Sequence, residues 1–163
     1  ALFFQDNYVK TVLGIAERHN VPARLLHVEV TESMAWLDEE AFIRTLEALR
    51  RAGIGLSLDD FGKGYSSLAM LPSFGFDTIK LDRSFVVGLN LPVIRATVAM
   101  ATSLGLGILA EGVEDEHELA ALRAQGCHVF QGFLFSPPMT PEEVAAAGFG
   151  IRCKLGHYPL IGG

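Results

Sequence analysis

Cysteine is scarce in this chain: Cys127 and Cys153 stand in unrelated contexts and form no Cys-x-x-Cys pair. This argues against a disulfide scaffold and against a structural zinc site, and a reducing cytoplasm is the expected compartment, even if a longer parent protein were anchored in a membrane. Positive charge is also in deficit, with 13 lysines and arginines against 19 aspartates and glutamates and a formal net charge of -6. Without a basic field long nucleic acids are poor partners, and any phosphate ligand needs local cations or metal ions. No apolar run reaches the ~18 residues that span a bilayer. Residues 1–10 lack the charged-then-apolar order of a signal peptide.

What is present is ordinary globular composition, 50% apolar and 20% charged over 163 residues, enough for one domain with a sizeable core. The chain starts in an amphipathic pattern without an initiator methionine, which reads as a piece of something longer. Five short segments rich in branched or aromatic residues are expected strands: residues 25–30, 54–58, 76–81, 107–110 and 128–135. Helix-period stretches alternate with them at 7–19, 38–51, 92–104 and 116–124, with a shorter one near 66–72. Asp115 with Glu118, and Thr140 with Glu143, match the capping box, and Gly53 and Gly105 stand where helices stop. Such alternation specifies an α/β fold with a parallel sheet, either doubly wound or a (β/α) barrel. Residues 149–163 show neither period and are expected to form a tail.

Residues able to handle metal or phosphate recur at the C-terminal end of each expected strand: Glu29 and Glu32, Asp59 and Asp60, Lys80 and Asp82, Glu111 and Glu114, and Gln131. They lie roughly 25 residues apart, one βα unit, so all project toward one rim. That rim is where parallel α/β folds build active sites. So many carboxylates repel one another unless protonated or bridged by cations. With oxygen ligands and no neighbouring cysteine or histidine, the expected ion is Mg2+ or Mn2+ rather than zinc.

The spelling of these segments is specific. Asp59-Asp60-Phe61-Gly62-Lys63-Gly64-Tyr65-Ser66-Ser67-Leu68 resembles the DDFGTGYSSL loop of EAL domains, the cyclic-di-GMP phosphodiesterase family. Glu29-Val30-Thr31-Glu32-Ser33 resembles the family's E-x-T-E-S, and Lys80-Leu81-Asp82 its K-I-D. Ala110-Glu111-Gly112-Val113-Glu114 is similar to A-E-G-V-E, and Gln131-Gly132 to the late Q-G. Lys63 departs from the family's threonine, and Leu81 is an apolar swap for isoleucine. One decoy is excluded: Glu47-Ala48-Leu49 spells the family's name but sits in an amphipathic helix, whereas the name-giving glutamate belongs on an early strand.

The resemblance implies a partial (β/α)8 TIM-barrel-like fold of about five parallel strands, with residues 1–148 forming the C-terminal two-thirds of an EAL domain of ~250 residues. It implies that Glu29, Asp59 and Asp60 bind metal, with Asp59 bridging two ions, and that Glu111 binds the second ion and helps deprotonate the attacking water. Lys80 would hold that water or the phosphate charge, Asp82 would orient it, and Gln131 would contact substrate or metal-bound water. Glu32 would brace the loop carrying Asp60 and couple the site to dimerisation. The implied partners are cyclic di-GMP, a second copy of the chain, and sensory or GGDEF domains of a longer parent protein. The implied activity is metal-dependent hydrolysis to linear pGpG. The alternatives are a degenerate module that binds the dinucleotide or a partner without hydrolysis, and a non-catalytic scaffold or dimerisation piece. Glu114 is left as a surface carboxylate, His27, His117 and His128 as structural or exposed, Trp36 and Met34 as core or dimer contact, and Cys127 as a space-filler.

Overall fold

A computed structural model describes residues 2–5, 7–35, 37–62 and 71–147. Its centre is a five-stranded sheet: β1 (His27–Thr31), β2 (Gly55–Phe61), β3 (Thr78–Leu81), β4 (Gly107–Ala110) and β5 (Val129–Phe130). The strands lie in sequential order and every neighbouring pair is parallel. Right-handed crossovers between sequential parallel strands put the connecting helices on the same face. This is barrel winding, and it settles the choice that periodicity leaves open.

Register divides the strand residues between two unlike faces. Leu56, Leu58, Ile79, Leu81, Ile108 and Ala110 are buried and join one hydrophobic core. Against them pack α3 (Glu39–Arg51) through Phe42, Leu46 and Leu49, α6 (Leu91–Ser103) through Ile94 and Ala101, and α7 (Glu116–Ala124) through Leu119 and Leu122. The opposite face carries Glu29, Ser57, Thr78 and Gly107 side by side, with Asp59 and Lys80 one step further along. In β2 up to Asp59 and in β3 apolar residues thus alternate with polar or small ones, as the pleat requires, whereas β4 places Leu109 on the polar face beside Lys80.

Each helix is built to turn back into the next strand. Asp38 accepts the Ala41 amide at the start of α3, and Asp115 accepts that of Glu118 at the start of α7. At the far end of α3, Gly53 takes φ +78°, with Gly53 N–H bonded to Arg50 O and Ile54 N–H to Leu49 O. This pair of bonds is a Schellman ending, which needs the left-handed conformation glycine adopts without strain. The same pairing recurs after α6 at Gly105 and after α7 at Gly126, the latter unmarked by the sequence reading. The Thr140–Glu143 box forms reciprocally at the start of α8 (Pro141–Ala147).

Several boundaries differ from expectation. Residues 128–135 shorten to the two-residue β5, because Gly132 presses on the loop after β4: a Cβ there would lie 2.1 Å from Val113 O. The chain then turns, closed by Phe135 N–H to Gly132 O. β1 starts at His27 because Ala23–Leu25 forms a 3-10 turn. Besides α1 (Tyr8–Arg18) and α4 (Leu71–Phe74), which fall in or beside expected helical stretches, two four-residue helices arise, α2 (Glu32–Ala35) and α5 (Arg83–Val86), too short to leave a periodic signal. Among the described residues no helix is long and apolar enough to cross a membrane. Lys63, Trp36, Cys153, most of 66–72 and the expected tail 149–163 lie outside the described residues.

Candidate active site

Lys80 organises the rim. Near the end of β3 its side chain is 5% exposed, and its Nζ lies 2.6 Å from Glu29 Oε2, 2.7 Å from Glu111 Oε1 and 3.3 Å from Asp59 Oδ1. These partners come from β1, β2 and the loop after β4. Burial alone would lower the lysine pKa, but the hydrogen bonds Lys80 donates to Glu111 and Glu29 and the nearby charges of Glu111 and Asp59 outweigh it and push it well above the ordinary value. Lys80 is therefore an ammonium at any physiological pH.

Asp59 and Asp60 reach the rim through a local irregularity. Between Leu58, paired with Ile79, and Phe61, paired with Leu81, β2 has one more residue than β3. This bulge returns Phe61 to the core, and Asp60 takes φ +55°, a left-handed conformation that aspartate tolerates better than most residues. The Asp60 amide donates to Asp59 Oδ1 at 3.0 Å, which fixes the carboxylate that Lys80 meets. A side chain at Gly62 would strike the Phe85 ring at 2.9 Å, so the chain at Gly62 runs tight against α5.

The other expected site residues fall around this centre. Asp82 is buried, and its Oδ1 accepts the Ser84 amide at 2.8 Å, capping α5. An open cavity of about 520 Å3, lined by Asp82, Arg83, Ser84 and Val87, lies beside it. Gln131 is exposed just beyond β5, its backbone bonded to Ala110 O and Val113 N. Glu32 opens α2, and its side chain lies outside the description. His27 is structural, its Nδ1 3.0 Å from Ser57 Oγ and its ring across Gly55, where a Cβ would meet Nε2 at 2.1 Å. Glu47 is a surface residue paired with Arg51 at 2.8 Å, as its helical setting requires. Sequence reasoning passed over Arg83, which follows Asp82 directly and whose guanidinium donates to Glu114 across 31 positions of chain.

Among the described residues, no three acidic, histidine or cysteine side chains stand as a ready-made metal cage. Instead three carboxylates gather around one ammonium, which leaves an excess of negative charge at a partly buried rim. Glu29, Asp59 and Glu111 form an all-oxygen donor set with excess negative charge, the chemistry that suits a hard divalent cation.

Residues 1–138 match the model of the EAL domain. The chain is 42% identical over 136 residues, 80% of its length, to the cyclic di-GMP phosphodiesterase NbdA of Pseudomonas aeruginosa, of which it covers 17%. It is 39% identical over 150 residues, 89% of its length, to the bifunctional diguanylate cyclase/cyclic di-GMP phosphodiesterase MucR of the same organism, of which it covers 22%. The chain thus spans about a fifth of the length of these relatives. Its fold matches the MucR phosphodiesterase in complex with c-di-GMP at a TM-score of 0.81 and 39% identity, covering 87% of this chain and 60% of that one. It also matches BlrP1 of Klebsiella pneumoniae, in complex with manganese and cyclic di-GMP, at a TM-score of 0.77 and 34% identity, covering 84% and 36%. The strand-end motifs, the sequential parallel sheet and the family match over most of the length agree, and the chain belongs to the EAL domain family.

Proposed function

We propose that the protein carrying this chain hydrolyses cyclic di-GMP to linear pGpG with Mg2+ or Mn2+. The observation that carries the reading is the convergence of Glu29, Asp59 and Glu111 on one buried ammonium, in a chain 42% identical to a cyclic di-GMP phosphodiesterase. When bound, the divalent ions supply a hydroxide near neutral pH and offset charge on the attacking and leaving oxygens.

The chain's own residues do the rest. Glu29, Asp59 and Asp60 would hold one ion, and Glu111 together with Asp59 the other. Glu111 takes a proton from the attacking water, Lys80 holds the developing phosphoryl charge, and Asp82 orients the attacking oxygen. As the new O–P bond forms, one P–O3′ bond of the ring breaks, and the 3′ oxygen leaves as a hydroxyl. Gln131 contacts the dinucleotide, and Glu32 braces the segment that carries Asp60. Regulation would come through homodimerisation and through a linked GGDEF or sensory domain; that MucR is a diguanylate cyclase as well as a phosphodiesterase supports a second linked domain.

The test incubates the protein with cyclic di-GMP and Mg2+ or Mn2+ and follows pGpG by chromatography. Steady pGpG formation is expected, with Glu111→Ala lowering turnover at least ~100-fold while the melting temperature holds. Binding without pGpG would favour a non-hydrolytic sensor module, and the absence of both would reject the reading.

A further inference from the structure

The rim contains a clamp that the proposed chemistry does not use. Arg83 stands at the start of α5, and its guanidinium bonds Glu114 in the loop after β4. Its aliphatic stem lies on Gly112, where an added Cβ would fall 2.3 Å from Arg83 Cγ and 2.7 Å from its Cβ and Cδ. Gly112 has φ +70° and directly follows Glu111, whose carboxylate meets Lys80.

The segment is held on both sides of that glycine. Upstream, the Glu111 amide bonds Leu81 O at 3.1 Å; downstream, Val113 N–H bonds Gln131 O and Val113 O accepts from Leu134, each at 3.0 Å. The Glu114 amide bonds Glu118 Oε2 at 2.8 Å. Gly112 is the joint between these anchors, because glycine alone moves freely between φ signs. A side chain lying over that joint, tied to Glu114 beyond it, limits its rotation.

We infer that Arg83 is a positioning residue that sets the direction in which Glu111 presents its carboxylate, acting through Gly112 and Glu114. The inference rests on the reading of Glu111 as a metal-binding carboxylate. With side chains 61% and 42% exposed, the Arg83–Glu114 pair contributes little to global stability. Its effect falls on orientation, where partners behind a ligand typically change metal affinity about 10- to 100-fold.

Calorimetric titration with Mn2+ tests this without relying on turnover. Arg83→Ala is expected to weaken binding about tenfold, and Arg83→Met, which keeps the stem but loses the charge, to weaken it less. The decisive comparison is made on the Glu111→Ala background, where Arg83→Ala should change affinity less than about twofold, since its target is gone. Unchanged affinity in Arg83→Ala, or equal weakening on both backgrounds, overturns the positioning role while the metal reading stands. If Glu111→Ala itself leaves Mn2+ binding untouched, the reading of Glu111 fails and the inference falls with it. Arg83→Met supplies the same comparison if the alanine variant folds poorly.

Discussion

Lys80 and Cys127 are both buried, yet opposite forces act on them. Three carboxylates around Lys80 outweigh the cost of burying its charge, so its pKa is raised. A group raised in this way adds stability in full below its unfolded value, about 10.4 for lysine, and loses it as pH climbs through the folded value. The charge at the rim is therefore constant from the lysine side across the neutral range. Among the described residues Cys127 has no such partners, and burial pushes its thiol from 9.0 up to about 11. The folded state then keeps its proton where the unfolded state has lost it, and stability falls between about pH 9 and 11. Urea unfolding at pH 8 and 10 should show wild type losing about 1 kcal/mol more than Cys127→Ala between the two. In native protein at pH 8, alkylation of Cys127 mapped by mass spectrometry should be far slower than after unfolding.

Helix–glycine–strand is the recurring element, and its two ends can be tested apart. Among the described residues nothing lies within 4 Å of a Cβ placed on Gly53 or Gly105, so Gly53→Ala probes the left-handed backbone alone and should cost about 1 kcal/mol. Asp38→Ala, which removes the cap of α3, should cost a similar amount. Leu49→Ala, in the wholly buried core beneath that helix, should cost about 2–5 kcal/mol. Chemical denaturation ranks all three, and a cost for Gly53→Ala as large as that of Leu49→Ala would contradict the open space seen around Gly53. These elements were legible in sequence because caps, glycine stops and periodic apolar residues are local signals. The strand within 128–135 was legible too, but its end was not, since that is set by Gly132 pressing on Val113, a contact between segments distant in the chain.

For the molecule as a whole, the division of the sheet into an apolar and a polar face is the main fact. The helices bury the first; the second presents Glu29, Ser57, Asp59, Thr78 and Lys80. Among the described residues β1 pairs with β2 alone and β5 with β4 alone, so the sheet has two edges. Removing divalent ions with EDTA should abolish hydrolysis of cyclic di-GMP, and Mn2+ or Mg2+ should restore it. Turnover that persists in excess chelator would remove the metal from the mechanism.

The sequence by itself determined the alternation of strands and helices, the placing of charged residues at strand ends and the family resemblance, because each depends on spacing along the chain. Tertiary structure decided the winding and the company each charge keeps. Sequential parallel pairing chose the barrel over the doubly wound sheet. It brought Glu29, Asp59 and Glu111 within 2.6–3.3 Å of Lys80 and set Arg83 over Gly112. Contacts between residues some 20 to 50 positions apart follow from strand register and loop packing, and no local pattern carries that information.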